Sequence, residues 1–115
     1  MLGNRKKSLF FTIYCPFLNV DGMAIFPFVL IRTKLPSKIL INHERIHLAQ
    51  QLELLILPFY IWYLSEYLLN RLKGQNHQVA YRNICFEKEA YENEDKLAYL
   101  TNRRAWSFLK YLKMV

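Results

Sequence analysis

The sequence predicts a small α+β domain, an N-terminal β-hairpin packed on three to four helices. Three observations carry that expectation. Two apolar runs rich in Phe, Ile, Val and Tyr, residues 9–18 and 23–31, flank Asn19-Val20-Asp21-Gly22, and Asp-Gly between β-forming runs is a hairpin signal. From Ser37 onward the apolar and histidine positions recur every three or four residues, the period of a helix with one buried face. Pro58 and Gly74 then fall where helices start and stop.

Taken in order, the hairpin is expected over about residues 8–33, with Pro16 and Pro27 at edges or bulges because proline cannot donate to a ladder. Leu35-Pro36-Ser37 marks a turn into a first helix over about 37–57, on which Ile39, His43, Ile46, His47, Gln50 and Leu54 share the helical spacing. Pro58 ends or kinks it and suits the first turn of a second, aromatic helix over about 58–73. Lys73-Gly74-Gln75-Asn76 reads as a stop and loop, and an acidic third helix is expected over about 79–100. A short amphipathic helix over about 104–112 closes the chain, with Trp106, Leu109 and Leu112 on one side. A length of 115 residues fits one domain spanning 1–115, and 53% hydrophobic content excludes a disordered chain.

Lys and Arg number 16 against 9 Asp and Glu, a net charge of +7. The basic residues form dispersed clusters beside apolar runs rather than one stripe. That pattern suits a membrane surface better than nucleic acid, for which no recognised motif is present. The uncharged run Leu54 to Ser65 has 12 residues, short of the ~20 a spanning helix needs. A buried or interfacial helix is the better reading, and Phe59, Tyr60, Trp62, Tyr63 and Tyr67, with Arg71 and Lys73 beyond, keep lipid contact open. Cys15 and Cys85 lack CxxC spacing and read as free thiols. A cytoplasmic or membrane-associated location is expected ahead of secretion, and the basic start followed by Leu9 to Tyr14 is read as part of the fold.

The segment that carries chemistry is His43-Glu44-Arg45-Ile46-His47. Residues four apart share a helix face, so His43 and His47 can offer two imidazole nitrogens to one zinc ion. Glu44 is rotated about 100° from His43. It can reach a water beside the metal and serve as general base for attack on a carbonyl. Chance places HExxH in on the order of one in a few hundred chains of this length; here it lies inside a helical pattern and uses two of the three histidines. Zinc then needs a third protein ligand. The glycine and third histidine of HExxHxxGxxH are absent, so that ligand is expected on the acidic helix, where Glu87, Glu89, Glu92 and Glu94 are candidates. Glu87 and Glu94 share a face, while Glu89 lies about 200° round from Glu87. His77 sits in a polar loop as another possible ligand or second-sphere partner. Tyr81, Arg82, Tyr91 and His77 are candidates to hold a developing oxyanion, and Asn42 is a candidate cap or partner of a ligand.

His43-Glu44-Arg45-Ile46-His47-Leu48-Ala49-Gln50 followed by Glu87-Lys88-Glu89-Ala90-Tyr91 resembles the glutamate-ligand (gluzincin-like) zinc metallopeptidases. Similar pairs occur in the HtpX and CAAX-prenyl membrane proteases, the BlaR-type sensor peptidases and small HExxHxxQ proteins. The resemblance covers the two motif helices, about 37–57 and 79–97. It implies zinc-dependent peptide hydrolysis, with Glu87 as third ligand. Tyr91 departs from it, standing where those families often place an aspartate that supports a ligand histidine; the role then falls to Glu92, Glu94 or Asp95. A strand of the hairpin is expected beside the metal helix, where its edge can pair with an extended peptide or protein substrate. The rival expectations are a non-enzymatic membrane-associated interaction protein and a purely structural metal site.

Overall fold

The computed structural model describes residues 10–112. It is a small α+β fold, three short strands followed by helices. The strands are β1 (Phe11–Tyr14), β2 (Gly22–Ile25) and β3 (Phe28–Ile31), in the order β1-β3-β2. β3 pairs antiparallel with β2 and parallel with β1.

This differs from the expected hairpin. The two apolar runs do not fold back on each other at Asp21-Gly22; the second run is itself the hairpin. It turns at Phe26-Pro27, a cis bond, between the paired residues Ile25 and Phe28. Pro27 has no N–H to donate and occupies a turn at no loss to the ladder. Asp21-Gly22 instead leads into β2, where the Asp21 carbonyl accepts from the Arg32 amide at 3.0 Å. β1 comes alongside β3 in parallel, which a hairpin signal alone cannot foretell. Residues 8 and 9 of the expected hairpin lie outside the described residues.

The first helix, α1 (Lys38–Glu53), starts where Ser37 caps it, its hydroxyl accepting from the Leu40 amide at 3.0 Å. It stops four residues earlier than the expected Leu57, because Leu55 and Ile56 both take positive φ, 60° and 68°. α2 (Leu57–Leu72) then leaves at 113° to α1, with Pro58 in its first turn. A proline there would block the carbonyl four residues back in a continuing helix.

The expected single helix over 79–100 is three pieces: α3 (His77–Arg82), α4 (Cys85–Asn93) and α5 (Tyr99–Asn102). Two side chains set the start of α3 and the end of α4. Asn76 caps α3 through the Val79 amide at 2.9 Å, so the helix starts at His77 rather than in a loop. At the end of α4 the Asn42 amide donates to the carbonyls of Asn93, Glu94 and Lys96 at 3.3, 2.9 and 3.1 Å. Those carbonyls are satisfied by α1 and need no further helical turns. The expected helix over 104–112 is a 3₁₀ helix, Ser107–Tyr111. It buries Phe108 rather than the Trp106, Leu109 and Leu112 side.

α1 lies between two apolar clusters. On one side Ala24, Val29 and Ile31 of the sheet pack with Leu48. On the other, Leu54, Phe59, Ile84, Cys85, Phe86 and Phe108 form the larger core, edged by Trp62 and Tyr63. Both cysteines are free, Cys85 in that core.

Candidate metal centre

One turn of α1 separates His43 from His47, and their rings meet edge-on with centroids 4.8 Å apart. Their Nε2 atoms are 3.2 Å apart. Glu87, in the first turn of α4, brings its Oε1 to 3.2 Å from each of those two nitrogens. The three donors thus form a triangle with equal sides, and all three residues are buried. A zinc ion bound tetrahedrally at about 2.0–2.1 Å sets its donors about 3.3 Å apart. The donor chemistry and the spacing fit such an ion, for which these residues would supply three of four ligands. Among the described residues this is the one group of three or more His, Cys, Asp or Glu side chains converging in this way.

The far side of each ligand is held. His43 Nδ1 lies 2.8 Å from Glu94 Oε1, and His47 Nδ1 lies 2.8 Å from Gln50 Oε1. The Gln50 amide nitrogen donates to the Phe86 carbonyl at 3.1 Å and to Glu89 Oε1 at 2.9 Å. With its NH₂ group facing two acceptors, Gln50 must turn its oxygen to His47. Both imidazoles then donate through Nδ1–H and keep the Nε2 lone pair for the triangle. Glu87 Oε2 accepts from the Tyr63 hydroxyl at 2.5 Å, leaving Oε1 as its free donor.

Without a cation this arrangement must hold a proton. Burial disfavours a charged His47, but the charge and hydrogen bond of Glu87 outweigh it and push the imidazole up to about 9. Burial also pushes Glu87 up, yet the charges and bonds of His47 and His43 outweigh that and hold its carboxyl well below the usual range. The site is built for positive charge.

Glu44 is buried on the neighbouring strip of α1, its carboxylate at the wall of the cavity that the triangle also lines. Burial raises its pKa; the opposing pull of His47 and His43 is the smaller effect. Its Oε2 lies against Gly22 at the start of β2, where a Cβ would come within 3.1 Å. Gly22 keeps that approach open. Glu44, His43, His47 and Glu87 together line a cavity of about 370 Å³, whose other walls include Met23 and Ile25 of β2 and Phe59 and Tyr63 of α2.

The remaining candidates are distributed as follows. Tyr81 lines the same cavity, its hydroxyl 3.2 Å from that of Tyr91. Tyr91 sets its ring edge-on to His43 at 4.5 Å, and Arg82 lies over the Tyr91 ring at 3.7 Å. Arg82 therefore braces Tyr91 rather than facing the triangle. His77 pairs with the Tyr67 hydroxyl at 2.9 Å on the rim of an adjoining cavity and is not part of the triangle. Glu89 is fully buried but taken up elsewhere: Arg103 Nε donates to it at 2.5 Å and the Tyr99 hydroxyl at 2.6 Å. Glu92 is exposed and stands outside the group. Asn42 acts as the clamp on α4 described above. Of the three residues considered for the absent aspartate's role, Glu94 is the one that reaches a histidine. Two supports of the site carry no expected role at the metal in the sequence: Gln50, and Tyr63, which belongs to the aromatic set expected near lipid and instead bonds Glu87. Gln50 had a usable signal, being on the His47 face three residues on; Tyr63 had none.

Compared with family models, with curated proteins and with solved structures, the chain has no match in any of the three. The functional reading therefore rests on the geometry of this site.

Proposed function

We propose that the protein is a zinc-dependent hydrolase acting on peptide bonds, with His43, His47 and Glu87 holding the metal and Glu44 serving as general base. The observation that carries the reading is the triangle of 3.2 Å sides with the Glu44 carboxylate lining the same cavity. A bound zinc ion would supply Lewis acidity toward water and toward a substrate carbonyl. The chain's own residues do the rest. Glu44 takes a proton at its carboxylate and can pass it to a leaving amine. The Tyr81 hydroxyl, in the same cavity, is positioned as a donor to developing negative charge. β2 lies at the edge of the sheet and lines the cavity, as the pairing of an extended peptide beside Glu44 requires.

The test is metal content followed by activity. Purified protein is expected to carry one zinc per chain, lost in His47→Ala. Glu44→Gln is expected to keep the zinc and lose hydrolysis of a peptide library. A wild-type protein without stoichiometric metal sinks the proposal. A second reading has one observation in its favour: Glu87 lies on α4 and the histidines on α1, so a metal there would also staple two elements together. Under that purely structural reading Glu44→Gln leaves every activity of the protein intact.

A further inference from the structure

α2 has two unlike faces. The inner face places Phe59 in the core and Tyr63 on Glu87. On the opposite face Leu57, Ile61, Leu64, Leu68 and Leu72 follow the spacing i, i+4, i+7, i+11, i+15 and form one unbroken stripe. These side chains are 51–83% exposed, and none joins either core cluster. Leu55, at the elbow before α2, is 80% exposed as well. Folding does not account for five aliphatic side chains aligned toward solvent.

We propose that this stripe lays the protein on an anionic lipid surface, with α2 parallel to the plane of the membrane. Among the described residues no single helix is long and apolar enough to cross a membrane. At 16 residues α2 is about 24 Å long, too short to span and long enough to lie at the interface. Charge selects the lipid. Of the nine acidic residues, Glu44 is buried, and Asp21, Glu53, Glu66, Glu87, Glu89 and Glu94 are bound by ion pairs or hydrogen bonds. That leaves Glu92 and Asp95 as the exposed acids without a partner among the described residues, in a chain whose net charge is +7. The one acid on α2, Glu66, points inward to Trp62 and the Cys85 amide. The stripe thus carries no negative charge, and Arg71 and Lys73 stand at its C-terminal end.

Size argues against a second copy as the occupant. Five aliphatic side chains exposed to this degree present a patch of roughly a few hundred Å², in the range of functional patches on monomers. That is below the roughly 800 Å² each subunit gives to a standard protein interface. Docking on this face would hold the metal-side cavity, lined by the inner face of the same helix, about one helix diameter or ~10 Å from the lipid.

The experiment is co-sedimentation of the full chain with vesicles of phosphatidylcholine alone and of phosphatidylcholine mixed with phosphatidylglycerol. Binding to the anionic vesicles is expected to exceed binding to the neutral ones by roughly tenfold, the factor that one or two basic side chains near the surface supply. It is expected to fall when salt is raised from about 0.1 M to about 1 M, which shortens the Debye length from about 10 to about 3 Å. The triple variant Ile61→Gln, Leu64→Gln, Leu68→Gln should keep its circular dichroism spectrum and its metal content, yet lose binding to both vesicles. Leu64→Gln alone gives a partial loss and serves if the triple variant does not fold. Absence of wild-type binding overturns the proposal, as does a folded variant that binds like the wild type. So does a wild-type dimer that the variant converts to monomer without any vesicle binding. Metal content is read separately, so loss of lipid binding does not touch the hydrolase reading.

Discussion

Replacing Glu94 with glutamine tests the support of the metal site without touching a ligand. Glu94 Oε1 stands 2.8 Å from His43 Nδ1. It holds the ring in the tautomer whose Nε2 faces His47 and Glu87, and it adds negative charge one imidazole away from the ion. Groups in this position change metal affinity by about 10–100-fold, or about 1.4–2.7 kcal/mol. Glutamine preserves length and can still accept from Nδ1–H, so the lost charge dominates and the expected weakening lies near the lower end, about tenfold. The assay is zinc competition against a chelator of known affinity at fixed pH. Glu92→Gln and Asp95→Asn are the controls. Both remove a carboxylate from the same stretch, both residues are exposed, and neither has a partner among the described residues. They should leave affinity within about twofold, because exposed charges at a distance are screened. An unchanged affinity in Glu94→Gln, or an equal weakening in all three variants, would refute the reasoning: the effect would then be absent or a matter of net charge.

Three further outcomes are expected. In metal-free protein the His47–Glu87 pair should make stability pH-dependent. His47 is raised from 6.5 to about 9, so its stabilisation is complete below about 6.5 and disappears as pH rises through 9; Glu87 is lowered, so its share is present above about 4.5 and is lost as pH falls through its depressed value. The pair counts once, on the order of 3 kcal/mol. Denaturant titrations of stripped protein should therefore peak near pH 5–6, whereas zinc affinity should climb with pH as the imidazoles deprotonate; a flat stripped profile contradicts the pairing. Arg103→Met should cost about 3–5 kcal/mol, since it strands the fully buried Glu89 and the Glu53 carboxylate that Arg103 binds at 2.5 and 2.6 Å. At about 2.1 cal/mol/K per residue over 115 residues, that is a Tm drop of about 12–20 °C by calorimetry, and a drop under about 4 °C would show the network to be dispensable. Leu55→Gly should raise Tm by about 2–4 °C, because Leu55 has φ 60° and is mostly exposed. Removing its left-handed strain, ~1–2 kcal/mol, outweighs the ~0.5–1 kcal/mol of added chain entropy, and a fall in Tm would mean the strain is absent.

The parts of the site legible in the sequence are those set by one helix. His43 and His47 converge because any α-helix brings i and i+4 together, and Ser37 and Pro58 mark the helical segments through local hydrogen bonding and the missing N–H. The resemblance implies Glu87 among several acids, and it is the acid that the packing brings to the Nε2 atoms of both histidines.

Other features depend on partners distant in the chain. Glu94 rather than Tyr91 supports His43, and Asn42 ends α4 from 51 residues away. Glu89, chemically identical to Glu87, is diverted to Arg103, 14 residues on. The strands followed the same rule: the apolar runs were readable as β-forming, but their pairing order and the turn at Phe26-Pro27 were not. By itself the sequence determined that strand-forming runs precede helical ones and that His43 and His47 share a face, because backbone geometry over a few residues decides that; where the acidic segment breaks into separate helices was decided by tertiary contacts. Which carboxylate meets which imidazole was decided only when α4 docked on α1, since a buried charge takes the partner that packing leaves within reach.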